Sequence, residues 1–167
     1  DRAALLRGQR DGAPKQLAGF DFAGADLQGM DLSGANLKGA NLSETNLAEC
    51  KLVAADLSGA DLEGANLSGA DLRSADFRGA NLEGAILAGV QAVGCNFEGA
   101  NLKGAQGEHS DFRSSNFSKA NMENGIFRHS DMSNTNMQQA NLRYASFLQG
   151  LTDGADMSGA DTWMMRK

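Results

Sequence analysis

A frame of five residues runs through this sequence from Lys15 to Met164 without insertion or deletion. With the middle of each unit as position i, i falls on every residue number ending in 2 or 7. Of these 30 positions, 15 are Leu, 7 Phe and 4 Met, and only Ala92, Gly107, Thr152 and Thr162 depart. Position i−2 is Ala in 17 units, with small residues such as Cys50, Ser110 and Thr135 filling most of the others; i−1 is Asp or Asn in 22. A period of five cannot be a helix face, because five steps of about 100° scatter the apolar residues around the axis. It cannot be a continuous strand either, since an odd period sends alternate apolar residues to opposite faces. The chain must therefore turn within every unit.

The order small, polar, apolar at i−2, i−1 and i predicts a three-residue strand with its ends inward and its middle outward. Positions i+1 and i+2 are left for the bend. Position i+2 is Gly in most units up to Gly104, as a turn that needs a positive φ requires. Four bends of about 90° close a square, so a coil takes 20 residues and residues 20 apart stack at a strand spacing of about 4.8 Å. About seven and a half coils make a rod of about 36 Å, and stacking supplies a core that no coil has alone.

Units such as Ala25-Asp26-Leu27-Gln28-Gly29, Ala60-Asp61-Leu62-Glu63-Gly64 and Ala100-Asn101-Leu102-Lys103-Gly104 match the A-[DN]-L-x-x signature, and the chain resembles the pentapeptide-repeat proteins over about nine-tenths of its length. The resemblance implies an all-β fold, a right-handed quadrilateral β-helix; the handedness rests on the resemblance alone. Residues 1–14 are expected to form an N-terminal cap, a short helix, because Ala3, Ala4, Leu5 and Leu6 lie among Arg2, Arg7 and Arg10. Residues 15–165 form the solenoid.

Stacking at 20 writes each wall as a column. The first runs Leu17, Leu37, Leu57, Phe77, Phe97, Phe117, Met137, Met157, with rings expected to stack. The second begins at Phe22, the third at Leu27 and the fourth at Leu32. Ala92 and Gly107 leave the core short of volume, and Phe97, Phe112 and Phe127 are placed to fill it. After Gly104, i+2 reads His109, Ser114, Lys119, Asn124, His129, Asn134, Gln139, Tyr144, Gln149, which predicts a change of turn type and puts larger polar groups at the corners.

The outward column of the third wall is the clearest local departure. Asp26, Asn46 and Asn66 give way to Ile86, Gln106 and Ile126, with Ala88 and Leu148 alongside. This strip is read as a candidate protein contact, against scattered surface aliphatics without a role. His109 and His129 stack at the next corner and count with this strip as candidate contact residues. A metal site wants three or four ligands, so no metal is assigned, and Glu108 is expected to pair with Arg128. Tyr144 and the run Trp163, Met164, Met165 are expected either to cap the last coil or to meet a second chain.

No Ser/His/Asp or Cys/His set, paired-carboxylate pocket, phosphate loop or metal cluster is legible in the sequence. No enzymatic activity, catalytic residue or cofactor is expected. Cys50 and Cys95 lie more than two coils apart, beyond disulfide reach, and two cysteines without a framework point to a reducing, cytoplasmic setting; the start at Asp1 leaves room for a trimmed leader. No apolar run is long enough to span a bilayer. The frame (17–165) holds 9 Lys/Arg against 19 Asp/Glu, a balance of −10, so nucleic acid is not an expected partner.

Three functions remain: a protein-binding or structural scaffold with an unidentified protein partner and a possible homodimer through an end; a DNA-imitating inhibitor or protector of DNA gyrase, as the family resemblance implies for some members; and an accessory or fusion domain of a larger bacterial assembly. Duplex DNA carries a charge per about 1.7 Å, so a 36 Å rod imitating it needs about 21 negative charges. The frame nets about half that, which favours the scaffold.

Overall fold

The computed structural model describes residues 15–167. The expected N-terminal helical cap over 1–14 lies outside the described residues.

Accounting for the five N–H groups of one unit explains the architecture. In residues 35–39, Ala35 N–H closes a turn onto Leu32 O at 3.0 Å, Asn36 N–H reaches back to Lys15 O at 2.8 Å, and Leu37 and Gly39 N–H reach forward to Asp56 O and Ser58 O at 2.7 and 3.0 Å. The fifth donor, Lys38 N–H, finds the Asn36 side chain at 3.2 Å. Three donors stitch coil to coil, one closes the bend and one is held by the Asp or Asn at i−1, as buried and half-buried amides demand. The bridges pair residues 20 apart throughout, from Gln16 with Asn36 to Ser146 with Arg166, all parallel. Each wall contributes one bridged residue per coil, narrower than the three-residue strand expected. Neighbouring coils are nonetheless fully laddered.

The signature Asp or Asn thus has a specific duty. All 22 of these residues accept from the N–H two positions on, at 2.9–3.3 Å. This is an Asx turn repeated at every corner that has the residue for it. On the second wall the same side chains also bond to one another. Asn81, Asn101, Asn121 and Asn141 each donate Nδ2 to Oδ1 of the residue one coil back, beginning at Asp61, over 3.0–3.2 Å.

Inside, position i supplies a solid column. Leu17 through Phe147 are buried at every i, including Ala92, and Gly107 is buried too. Phe77, Phe97 and Phe117 stack at 4.8 and 4.7 Å with planes within 9°. The expected compensation near the middle is present: a Cβ on Gly107 would come within 2.6 Å of the Phe127 ring and 3.2 Å of Phe112. Gly125 yields to the same ring, at 2.5 Å. The buried serines at i−2 are satisfied across coils. Ser110, Ser115 and Ser130 donate Oγ to Leu87, Ala92 and Gly107 carbonyls at 2.8, 2.6 and 2.6 Å. In return the Ser110 and Ser130 hydroxyls accept from Val90 and Ser110 N–H. Cys50 and Cys95 sit in equivalent places, donating to Leu27 and Leu72 carbonyls. Burial pushes their thiols up, to about 11 and about 12, so both are inert packing groups.

The expected change of turn type does not occur. Position i+2 has a positive φ in every unit from Gly19 to Met164, between 54° and 71°, whether the residue is Gly, His, Lys or Tyr. One corner geometry serves the whole rod because coil stacking fixes it. The residue change after Gly104 alters the side chains and leaves the path of the chain as it was.

Candidate protein-contact face

The third wall departs most from the Asx pattern, four of its seven i−1 positions lacking Asp or Asn. Ile86, Gln106, Ile126 and Ser146 stack one above another through their backbone bridges, yet no Asp or Asn stands among them to hold the i+1 N–H. Ile86 and Ile126 are half-buried, Gln106 is exposed, and Ala88 and Leu148 beside them are half-buried. These side chains form an outward strip in which polar anchoring has been exchanged for apolar surface.

The corner after this wall carries His109 and His129. Their rings lie 4.8 Å apart and within 1° of parallel, with left-handed φ of 56° and 58°. The described residues hold no group of three or more His, Cys, Asp or Glu able to bind a metal. The expected ion pair between Glu108 and Arg128 is absent. Arg128 Nε turns to Ser146 Oγ at 3.4 Å, and neither charge has an ionic partner among the described residues.

The corner before this wall carries Tyr144 and, beside it, Trp163. Tyr144 is 41% exposed and Trp163 53%, in an edge-to-face contact at 5.0 Å. The Arg143 guanidinium lies 4.7 Å over the Trp163 ring while reaching Asp161 at 3.4 Å. The frame continues regularly to Arg166, whose N–H and C=O bond to Ala145 and Phe147 of the coil before. Trp163 and Met164 therefore occupy ordinary corner positions on the side of the rod, and of the three only Met165 turns inward, packed against the core. Sequence reasoning placed this aromatic group at the end of the rod; counting on from Leu142 in fives would have put it on the flank of the third wall.

Several arginines elsewhere are held by neighbouring carboxylates. Arg73, Arg78 and Arg113 each grip the Asp two residues earlier, at 2.6–2.7 Å. The side-chain hydrogen bond from each Arg holds Asp71, Asp76 and Asp111 below the usual carboxylate range. A shallow acidic depression lined by Glu44, Asp61, Glu63 and Glu83 lies along the second wall, with Lys103 3.8 Å from Glu83.

The repeat, the square of bridges and the Asx corners together define a protein class. Eight copies of the family model for pentapeptide repeats match residues 16–52, 50–89, 93–128 and 127–150, and the chain belongs to the pentapeptide repeat family. Among solved structures it is similar to HetL, a pentapeptide repeat protein involved in heterocyst differentiation regulation in the cyanobacterium Nostoc sp. strain PCC 7120, at 26% identity and TM-score 0.60 over 97% of this chain and 91% of that one. It is also similar to a pentapeptide repeat protein of the Arabidopsis thaliana thylakoid lumen, at 27% identity and TM-score 0.56 over 69% and 77%. QnrB1, a plasmid-mediated fluoroquinolone resistance protein, shares the fold at 23% identity and TM-score 0.50 over 88% and 89%. No curated protein matches the chain.

Proposed function

We propose that the chain is a right-handed rod of about seven and a half coils that works as a non-catalytic protein-binding scaffold. Its contacts are Ile86, Gln106, Ile126 and Leu148 on the third wall, His109 and His129 at one corner, and Tyr144, Trp163 and Met164 at the other, with Met165 packed inward behind them.

The observation that carries this reading is the run of nine corner side chains from His109 to Gln149 at left-handed φ. A side chain there costs about 1 kcal/mol against Gly, and somewhat less for Asn. The first part of the rod avoids that cost with glycine at most corners. A sequence that accepts the strain nine times running gains something from the side chains themselves, and strain of this kind gathers at functional surfaces. The third wall adds to the same account, since each Ile there forgoes a backbone hydrogen bond. Tyr, Trp and Arg are also the residues that dominate binding energy at protein interfaces.

A photo-crosslinking residue placed at Gln106, compared with one at Ser58 on the first wall, tests the assignment in a cell extract. Adducts at Gln106 that vanish with Ile86→Asp plus Ile126→Asp are expected; equal adducts at both positions would remove the face. The gyrase-directed alternative draws on the first part of the rod, where residues 15–104 hold 6 Lys/Arg against 12 Asp/Glu. It is answered by a supercoiling assay, in which no effect at micromolar protein is expected.

A further inference from the structure

We infer that the third wall pairs with the third wall of a second copy of this chain, the two rods lying side by side and antiparallel, with Glu108 of each facing Arg128 of the other. This rests on the wall being a protein-contact face and names its occupant.

Of the arginines between 15 and 165, Arg73, Arg78, Arg113 and Arg143 are each ion-paired. Arg128 is the exception among the described residues, and it stands one coil above Glu108, which is equally unpaired. The two are outward neighbours in one column, between the apolar Ala88 below and Leu148 above. A surface that keeps one free charge of each sign, one step apart, is complementary to itself. Residues 105–150 hold 4 Lys/Arg against 4 Asp/Glu, so two copies approach there without net repulsion.

Symmetry then selects the register. Two identical faces that meet are related by a two-fold axis lying in the contact plane, and the resulting patch is isologous. Let the axis run along the strand direction, midway between the coils of Glu108 and Arg128. It exchanges those two coils, placing Glu108 over Arg128 of the second copy twice and Leu148 over Ala88 twice. It also sets Ile126 over Gln106 and His109 over His129. Moving the axis half a coil, to the level of Gln106, would bring Ile86 over Ile126 but would set Glu108 against Glu108. The like charges exclude that register, because juxtaposed like charges at an interface cost several kcal/mol. A different protein would need its own matched pair at the right spacing; a second copy supplies it by symmetry. Four coils of one wall are small beside the ~800 Å² per partner of a standard interface. The pairing is therefore weak and concentration-dependent.

Sedimentation equilibrium of the full chain from about 10 μM to about 1 mM reads it, the range being that of interfaces below standard size. The wild type is expected to show a reversible monomer–dimer equilibrium. Glu108→Arg and Arg128→Glu should each weaken dimerisation at least tenfold. Glu108→Arg combined with Arg128→Glu should restore it, and so should an equimolar mixture of the two single variants. Circular dichroism melts confirm that every variant is folded, as these outward positions allow. A wild-type monomer across the range, single variants that dimerise unchanged, or a double variant that stays monomeric would each overturn the pairing. Those outcomes leave the crosslinking comparison at Gln106 intact as the separate test of the face.

Discussion

Residues 15–104 and 105–150 share one backbone and differ in almost everything attached to it. In the first stretch glycine turns the corners, leucine fills the core and the charge balance is acidic; in the second His, Lys, Asn, Gln and Tyr turn the corners, Phe and Met fill the core, and charge balances to zero. The left-handed φ at every corner is the same in both. The comparison separates what the fold demands from what it tolerates. The geometry of i+2 is imposed by three coil-to-coil hydrogen bonds per unit, so glycine there is a preference of about 1 kcal/mol rather than a requirement. The second stretch has exchanged that preference for surface chemistry.

Four experiments would break or sharpen this contrast. Gly107→Leu restores the consensus residue at i, yet it should destabilise the protein by about 1–3 kcal/mol, because Phe127 and Phe112 already fill the space and overpacking is costly. A shift of the urea midpoint measures it, and an unchanged or higher midpoint would mean that the compensating rings are not committed to the gap. Exchanging corner chemistry comes next. Gly59 and Lys119 both have open or exposed corners at φ 63° and 59°, so Gly59→Lys should lose about 1 kcal/mol and Lys119→Gly gain about as much. Equal and opposite changes in melting temperature are the expected signature. A Lys119→Gly variant that melts lower would show the second stretch to have its own local geometry.

Ile86→Asn and Ile126→Asn should each stabilise the fold, by about 0.5–1 kcal/mol, since each supplies the missing acceptor for the N–H two residues on. If they do so while abolishing crosslinks at Gln106, function and stability are opposed at those two positions. Destabilisation would show that the Ile side chains serve packing. The smallest effect concerns pH. The Arg partners depress the carboxyls of Asp71, Asp76 and Asp111 in the folded state. Their contribution is present above the unfolded carboxylate pKa of about 3.9 and is lost as pH falls through the lower folded value. Melting curves between pH 5 and pH 2 should be slightly less steep in pH for Arg73→Gln and Arg113→Gln, one from each stretch, and by similar amounts. The guanidinium groups are solvent-exposed, so the change is small.

Much of this molecule is legible from the frame alone. The 20-residue stack, the ring column Phe77-Phe97-Phe117, the paired imidazoles of His109 and His129 and the filling of Gly107 all follow from counting, because counting reports backbone register. What escaped is of another kind. The turn was expected to change with its residues, whereas the neighbouring coils hold φ regardless. Arg128 was expected to take the charge beside it, but an exposed side chain answers to solvent and to nearby hydroxyls as much as to register. The Asp or Asn at i−1 looked merely outward and polar. Its Asx bond emerges only when each of the five N–H groups in a unit is assigned an acceptor, an accounting the sequence permits but periodicity does not prompt. Trp163 and Met164 drew attention by size, although their frame positions already placed them on a flank.

The stitching of coil to coil through three N–H groups per unit also constrains how such a rod can change over time. A one-residue insertion would move every later leucine out of the core, so viable changes of length come in fives. Each added unit of five leaves core and corners chemically intact while turning everything downstream by a quarter revolution. The direction in which Ile126 or Trp163 faces, relative to the acidic stretch, is therefore fixed by the residue count between them, modulo 20. Duplicating or deleting a single pentapeptide near residue 105 would re-aim a whole surface without altering any residue on it.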